Sequence, residues 1–211
     1  QRHGAAMAQA IGPGALLVEY GSGSSRKTRL LLELLRQLPE GPAGYVPVDI
    51  SRDFLVASAE ALAEEVPGLR VLQHVRPPDA AAPFPGLRVL PVCADFTRGF
   101  PVPGVDGGGR PVVYFPGSTI GNFSRAESLA LLTQIRGQAG PEGGLLIGVD
   151  LVKPAEMLRQ AYNDAAGVTA KFNLNVLARL NRELGADFGL RAFRHLAVWD
   201  AERQRIEMRL V

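Results

Sequence analysis

The feature that most constrains the fold is an apolar strand that runs directly into a glycine-rich turn and then into a helix. Residues Ala15–Tyr20 (ALLVEY) are apolar enough to form a buried strand, and Gly21 and Gly23 follow in the sequence GSG. Apolar residues at helical spacing then predict a helix over Arg26–Leu38. Glycine lacks a Cβ, so this turn can be tight and can approach a ligand closely. A unit of this kind indicates a parallel α/β sheet.

The same alternation of strands and helices continues as far as Asp150. Further strands are predicted over Gly44–Val48, Leu87–Ala94, Pro111–Phe115 and Gly144–Val149, and further helices over Arg2–Ile11, Arg52–Glu65 and Arg125–Gly137. This alternation predicts a doubly wound, mostly parallel α/β sheet with a Rossmann-like fold. In such a sheet the carboxyl ends of the strands meet at one edge, where ligands bind.

A short segment is duplicated within this region. The sequence PGLRVL occurs at Pro67–Leu72 and again at Pro85–Leu90, where it continues into the third predicted strand. The residues between the copies are rich in proline and alanine, which predicts a loop over Pro77–Pro85. We expect the duplicated insertion to lie on the surface, far from the ligand edge.

The alternation stops after Asp150. Two helices are predicted next, over Pro154–Asp164 and Thr169–Leu184, and then a hairpin of two strands, Ala192–Trp199 and Arg205–Val211. Because these elements do not continue a parallel sheet, we assign residues 1–152 to a ligand-binding domain and residues 153–211 to part of an added α+β substrate-binding region. The chain starts with a residue other than Met and stops within a predicted strand, so we expect a piece of a longer protein.

Several kinds of ligand are compatible with a glycine turn at the start of a helix. A P-loop requires a glycine directly before its Lys–Thr pair, and a dinucleotide fingerprint requires the third glycine of GxGxxG. Arg26 occupies both positions, although Lys27 and Thr28 match the P-loop. Methyltransferases that use S-adenosylmethionine (SAM) have an acidic residue at the strand end and then GxG, which Glu19 and the two glycines match. The sequence therefore favours a turn that binds SAM. The alternative that the turn binds no ligand stays open.

Carboxylates follow two other predicted strands at the same edge. Asp49 follows the second strand, where it can bind the ribose hydroxyls of an adenosine-bearing ligand. Asp95 follows the third strand, where it can accept from the adenine amino group beside the apolar ring of Phe96. Taken singly, Asp49 or Ser51 can instead cap a helix, and Asp95 can be a surface residue beside a core Phe96. Because three strand ends carry suitable groups, the sequence predicts an adenosine site there.

Composition and charge argue against several kinds of partner. The 23 basic and 21 acidic residues are spread along the chain, and a net charge of +2 argues against nucleic acid. The longest apolar runs are too short to span a bilayer. The single Cys93 cannot form an internal disulfide and no signal peptide is present, so we expect a cytoplasmic protein, and a monomer. His3, His74 and His195 are scattered, so no metal site is predicted.

Several segments between Leu16 and Val211 share a pattern that extends beyond the glycine turn. They are EYGSGSSRKTRLLL, YVPVDIS, ADFT, GSTIGNF, AYNDAAGVTAKFN, NVLARLNRELGADF and VWDAER. In these segments the chain resembles the histidine-specific Nα-methyltransferases of ergothioneine synthesis. The resemblance implies SAM as cofactor and L-histidine as substrate, with three methyl transfers to its α-amino nitrogen that give hercynine.

The resemblance also implies roles for particular residues. Together with the turn pattern, it predicts cofactor contacts at Gly21, Gly23, Lys27, Asp49, Asp95 and Phe96. It predicts substrate contacts at Asn122, Tyr162 and Met208, with Met208 near the imidazole. Methyl transfer to a neutral amine requires alignment rather than a nucleophile, so no catalytic residue is assigned. No general base is named either, because we expect no histidine near these motifs.

Alternatives to this function stay open. Without the resemblance, Asn122 or Ser124 can be a helix cap and Tyr162 can be a core residue. The family also has a longer N-terminal helical segment, and its chain continues past the hairpin to an acidic residue that recognises the imidazole. We therefore keep as alternatives the methylation of another amino acid or a modified histidine, and cofactor binding without turnover. A nicotinamide-dependent dehydrogenase is the last alternative.

Overall fold

The structure is a computed structural model that describes residues 3–66, 70–71, 87–103 and 109–211. The chain divides into two compact units, Gln1–Val149 and Asp150–Val211. The boundary predicted after residue 152, and the assignment of each part to cofactor or substrate, stay predictions. The loop predicted over Pro77–Pro85 lies outside the described residues.

The first unit is built around a parallel sheet. Its strands are β1 (Ala15–Tyr20), β2 (Gly44–Asp49), β3 (Arg70–Val71), β4 (Arg88–Val89), β5 (Val92–Cys93), β6 (Arg110–Phe115) and β7 (Gly144–Ile147). Their order is β3-β4-β2-β1-β6-β7, with β5 also paired to β2. The strands β2 to β5 all lie on one side of β1, and β6 and β7 lie on its other side. The place between β1 and β6 is the topological switch point, where α/β sheets bind ligands.

Helices cover both faces of this sheet. They are α1 (Gly4–Ile11), α2 (Arg26–Leu35), α3 (Arg52–Glu65) and α4 (Arg125–Ala139). One core cluster joins buried residues of α1, α2 and α3 to Leu17 and Tyr45, and a second joins α4 to Leu16 and Val46. Successive residues of a strand point to opposite faces, so α1–α3 and α4 lie on different faces. The predicted doubly wound α/β fold is therefore confirmed.

The third predicted strand, Leu87–Ala94, is wrong as a single element. The structure has the two short strands β4 and β5 there, and both pair in parallel with β2, at Tyr45 and at Val48. Pro91 lies between them and has no N–H to donate, so the hydrogen-bond ladder is interrupted at that residue.

The duplicated segment forms neighbouring strands. Arg70 of the first copy pairs in parallel with Arg88 of the second, and Val71 pairs with Val89, so equivalent residues lie opposite each other. Val89 is fully buried. The expectation that the duplicated insertion lies on the surface is therefore wrong for its second copy, because the apolar residues of that copy extend the sheet beside β2.

The second unit consists of two helices and a hairpin. They are α5 (Ala155–Tyr162), α6 (Val168–Leu184), β8 (His195–Asp200) and β9 (Arg205–Leu210). The two strands pair in antiparallel fashion, and both helices pack against them. The predicted α+β composition of this region is found, with bounds that differ by a few residues. Among the residues described, no helix has the length and apolarity needed to cross a membrane.

We predict that core packing on α4 is sensitive to truncation at one face only. Leu131 is 4% exposed and packs in the second core cluster, so Leu131→Ala should lower the free energy of unfolding by about 2–5 kcal/mol. Leu129 on the same helix is 67% exposed, and Leu129→Ala should change it by less than about 1 kcal/mol. Urea unfolding of the two variants measures the difference, and equal losses would contradict the burial described.

Candidate functional site

A cleft of about 560 Å³ opens where β1 and β6 end. The glycine turn and the first turn of α2 line one side, with Gly21, Ser22 and Lys27. The segment after β6 lines the other side, with Pro116 and Gly117. The cleft therefore lies at the switch point of the sheet, the position at which this fold binds ligands.

The glycine turn is held against the end of β2. The N–H groups of Gly21 and Ser22 both donate to the Val48 carbonyl, at 2.9 and 3.1 Å. Gly21 and Gly23 have φ values of +67° and +50°, a region in which a side chain is strained. A Cβ on Gly21 would lie at an ordinary van der Waals distance from the Phe96 ring, 3.6 Å, so the positive φ values are the reason that favours glycine. The path of the turn therefore requires glycine at these positions.

A buried hydrogen-bond network lies beneath the turn. Glu19 is 3% exposed, in a strand whose residues are all buried. Its Oε1 accepts from the Thr28 hydroxyl at 2.6 Å, and its Oε2 accepts from the Tyr45 hydroxyl. The Tyr45 hydroxyl also lies 3.0 Å from the Ser25 hydroxyl. One carboxyl group therefore joins the end of β1 to β2 and to the first turn of α2.

Burial changes the protonation equilibria of this network. Loss of solvation raises the pKa of Glu19 to about 7, although the hydrogen bonds from Thr28 and Tyr45 oppose that shift. Burial also raises the pKa of the Tyr45 hydroxyl, and the nearby Glu19 charge adds to the effect. A protonated Glu19 can donate to Tyr45, which can then donate to Ser25, since either hydroxyl of that pair can be the donor. The network is thus satisfied in both protonation states.

The Asp49 carboxylate lies at the glycine turn. Its Oδ2 accepts from the Gly23 N–H at 3.1 Å, and its Oδ1 accepts from the Ser51 N–H at 3.0 Å. Ser51 occupies the N-cap position of α3, but its side chain makes no capping hydrogen bond. The structure therefore brings Asp49 and the turn together, while the role of Asp49 toward a ribose stays a prediction.

Phe96 lies beside the same turn, and the neighbouring Asp95 has different surroundings. The Phe96 ring stacks on Tyr20, with ring centroids 5.3 Å apart. The Asp95 carboxylate closes a local turn, because its Oδ1 accepts from the Thr97 hydroxyl at 2.6 Å and from the Thr97 N–H at 2.9 Å. These bonds lower the pKa of Asp95. The carboxylate is therefore ionised at neutral pH, the form that can accept from an amino group.

Two further polar groups line the cleft. Lys27 lies on the first turn of α2 with an exposed side chain. The Ser22 hydroxyl is buried and has no hydrogen-bond partner among the residues that the structure describes. A buried hydroxyl without a partner is destabilising. A cation and an unpartnered hydroxyl in one cleft fit a ligand that carries a carboxylate.

Asn122 lies on the segment that follows β6. It ends a 3₁₀ turn, Thr119–Asn122, and it is exposed. The helix cap beyond it is Ser124, whose hydroxyl accepts from the Glu127 N–H while the Glu127 carboxylate accepts from the Ser124 N–H. The capping role considered for Asn122 is thus filled by Ser124, and the contact of Asn122 with a substrate stays a prediction.

Tyr162 and Met208 lie in the second unit. Tyr162 is the last residue of α5, and Met208 lies on β9 and is 39% exposed. The fold packs α5 against β8 and β9. It also brings His195 of β8 within 2.7 Å of the Tyr162 carbonyl oxygen, measured to Nε2. The expectation that no histidine lies near the motifs is therefore wrong for His195.

Tyr45 and His195 are two residues of these sites that sequence patterns do not identify. Glu19 indicates from the sequence that a buried hydrogen-bond partner exists, because a carboxyl group within an apolar strand must be hydrogen-bonded. Its partner follows only from the parallel pairing of β1 and β2, in which Tyr45 lies opposite Leu17, two residues from Glu19 on the same face. No comparable signal marks His195.

A family model described as histidine-specific, SAM-dependent methyltransferase matches residues 1–211. The chain belongs to this family. The resemblance found in the sequence segments is thereby confirmed, and the family depends on SAM. A histidine-specific methyltransferase of this fold is expected to bind its cofactor at the switch point, which is where the cleft lies.

Curated relatives carry corresponding names. The chain is 43% identical over 193 residues to a histidine N-alpha-methyltransferase of Mycolicibacterium smegmatis, covering 91% of this chain and 53% of that protein. It is 30% identical over 185 residues to ergothioneine biosynthesis protein 1 of Neurospora crassa, covering 87% of this chain and 19% of that protein. The chain thus spans about half the length of the bacterial methyltransferase.

Among solved structures, the glycopeptide N-methyltransferase MtfA complexed with sinefungin is similar to the chain. The two share 15% sequence identity at a TM-score of 0.46, over 99% of this chain and 64% of that chain. The fold assignment rests on the order and pairing of the strands described above.

We predict that Glu19 makes stability fall as the pH rises. Its pKa in the folded chain, about 7, exceeds its ordinary value of 4.5, so the folded state holds a proton that the unfolded state releases between these values. The stabilisation from Glu19 is complete below pH 4.5 and is lost as the pH rises through 7. Glu19→Gln has no group that titrates at this position. Between pH 5.5 and pH 8 the free energy of unfolding of the wild type should therefore fall by about 2 kcal/mol relative to that of the variant.

Glu127→Gln is the matched control. The Ser124 hydroxyl and N–H lower the pKa of Glu127, so this carboxylate is ionised in both states across the same pH range. Its substitution should change the free energy of unfolding by a constant amount from pH 5.5 to 8. A difference that is equally flat for Glu19→Gln, measured by urea unfolding at each pH, would show that Glu19 titrates normally.

Proposed function

We propose that the full-length protein transfers methyl groups from SAM to the α-amino nitrogen of L-histidine. The observation that carries this proposal is the cleft at the switch point, which is lined by the glycine turn and Lys27, in a chain of the histidine-specific family. Asp49 accepts a hydrogen bond from the same turn, at Gly23. The printed names of the relatives support histidine as the substrate and ergothioneine synthesis as the pathway.

The residues of the first unit fit the cofactor. Gly21 and Gly23 allow its close approach, and Asp49 at the turn suits the two ribose hydroxyls. The ionised Asp95 carboxylate beside Phe96 suits the adenine amino group and ring. At the other end of the cofactor, the Lys27 ammonium and the unpartnered Ser22 hydroxyl suit the methionyl carboxylate. Bound SAM supplies an electrophilic methyl group on a sulfonium sulfur.

The side chains implied for the substrate would align it rather than react with it. Asn122 and Tyr162 carry groups that can orient the α-amino group, and Met208 offers an apolar contact to the imidazole. Holding a neutral amine in line with a methyl group accounts for roughly 7–11 kcal/mol of barrier lowering in well-aligned systems. No nucleophilic side chain is needed for such a displacement.

A second candidate is methylation of a different amino acid. Relatives in Aspergillus fumigatus and Aspergillus flavus, 28% and 26% identical, are named N-methyltransferases without histidine in the name. Their names state that the methyl group is transferred to a nitrogen atom, and they do not state which amine accepts it. We also propose that the protein acts as a cytoplasmic monomer without a nucleic-acid partner, which its near-neutral net charge and single cysteine support.

The function is tested by titrating full-length protein with S-adenosylhomocysteine and then with L-histidine in a calorimeter, followed by mass spectrometry of histidine incubated with SAM. We expect histidine to bind only after the cofactor product and to gain methyl groups on its α-nitrogen. Cofactor binding with methylation of another amino acid would support the second candidate. A folded protein that binds no cofactor would contradict both, and binding of a nicotinamide cofactor would indicate a dehydrogenase.

We predict that Asp49→Asn weakens S-adenosylhomocysteine binding by about tenfold or more, because hydrogen bonds to an ionised acceptor contribute roughly 1.5–3 kcal/mol. Asp53→Asn is the control, since Asp53 is exposed in the first turn of α3 and is not among the predicted cofactor contacts. In calorimetry, Asp53→Asn should bind S-adenosylhomocysteine with the dissociation constant of the wild type, and Asp49→Asn should not. An unchanged constant for Asp49→Asn would remove Asp49 from the cofactor site.

A further inference from the structure

One imidazole connects three elements of the second unit. His195 is the first residue of β8 and is partly buried. Its Nε2 lies 2.7 Å from the carbonyl oxygen of Tyr162 at the end of α5, and its Nδ1 lies 3.0 Å from Nδ2 of Asn173 on α6. The same Asn173 amide donates to the Arg209 carbonyl of β9 at 3.1 Å. Helices and hairpin are therefore joined at a single side chain.

These partners determine which nitrogen of His195 carries the proton. The Tyr162 carbonyl can only accept, so Nε2 must be the donor. The Arg209 carbonyl can also only accept, which turns the NH₂ group of Asn173 toward it. That group has two N–H bonds, and the second donates to Nδ1. These hydrogen bonds thus place the ring proton of His195 on Nε2 and engage both of its nitrogens.

The carbonyl that His195 binds belongs to the end of a helix. The last four carbonyls of an α-helix have no partner within it, and His195 supplies one for Tyr162, the last residue of α5. On the other side of the turn, Asp164 accepts from the N–H groups of Val168 and Thr169, both at 2.8 Å. The Tyr162 carbonyl is therefore held by His195, at the point where the Tyr162 side chain leaves the helix, and the Asp164 carboxylate stabilises the turn that follows.

Because both ring nitrogens are engaged, His195 is not free to take a proton from a substrate. We infer that His195 is a positioning residue for the substrate-binding side chain Tyr162, which it holds in place through the Tyr162 carbonyl and the Asn173 amide. This inference rests on the proposed function, in which Tyr162 contacts the amino-acid substrate. It adds the pair His195 and Asn173 to the residues on which substrate affinity depends.

The test compares four variants of the full-length protein. His195→Leu and Asn173→Leu break the connection, whereas His195→Gln keeps one amide N–H for the Tyr162 carbonyl and one oxygen for Asn173. Asn181→Leu is the matched control, because Asn181 on the same helix bonds the backbone of Phe188 at 2.8 and 2.9 Å. Calorimetry measures S-adenosylhomocysteine binding first and then L-histidine binding to the complex.

We expect His195→Leu and Asn173→Leu to raise the dissociation constant for histidine about tenfold, the effect of one or two neutral hydrogen bonds. Binding of S-adenosylhomocysteine should be unchanged, and His195→Gln should restore histidine affinity to within about threefold of wild type. Asn181→Leu should lower the melting temperature and leave histidine affinity unchanged. An unchanged histidine affinity in His195→Leu, or equal losses of both ligands, would overturn the inference.

A second measurement does not depend on the folding of a variant. The ¹⁵N chemical shifts of the His195 imidazole, assigned by correlation to its own backbone resonances in the wild-type protein, should be those of a ring that carries its proton on Nε2. A ring protonated at Nδ1 would overturn the inference even if no variant folded. A wild-type protein that binds cofactor but no histidine would instead overturn the proposed function, and the inference with it.

Discussion

The arrangement of the first unit depends on one buried carboxyl group, that of Glu19. A carboxyl group inside a sheet is destabilising unless it is hydrogen-bonded, and each of its oxygens has a partner from a different element. Those partners determine where β2 and α2 lie relative to the end of β1, and hence where the glycine turn between β1 and α2 can run. The Val48 carbonyl and the Asp49 carboxylate then hold the turn from the side. The shape of the cleft is thus determined largely by buried hydrogen-bonding groups beneath the glycine turn.

The strands and turns of this unit are predictable from sequence where they depend on residues that are close together along the chain. The strand Ala15–Tyr20 and the turn after it have bounds that agree with the structure, because apolar runs and glycines act over a few residues. The strand predicted over Leu87–Ala94 fails at Pro91, where the chain stays beside β2 but cannot complete the ladder. Local composition predicted that this segment belongs to the sheet, and it did not predict how many strands it forms.

Contacts between distant residues are the part that the sequence does not supply. Asp49 and Gly23 are predicted to lie at one edge of the sheet because both follow strands, and the 3.1 Å hydrogen bond between them agrees with that rule. The partnership of Glu19 with Tyr45 requires the register of two strands, and that of His195 with Tyr162 requires the packing of α5 on the hairpin. Neither is encoded in spacing along the chain, so both emerge only from the fold.

The paired copies of the duplicated segment have a consequence for how such proteins change over time. β3 and β4 have the same Arg–Val sequence and lie side by side, residue against residue. Parallel neighbours have the same direction and the same alternation of side chains, so a copied edge strand already matches the strand from which it was copied. A tandem duplication at the margin of a parallel sheet can therefore be accommodated as an additional strand, without inverting any existing side chain. Insertions among relatives should be tolerated at this margin and excluded from the middle of the sheet.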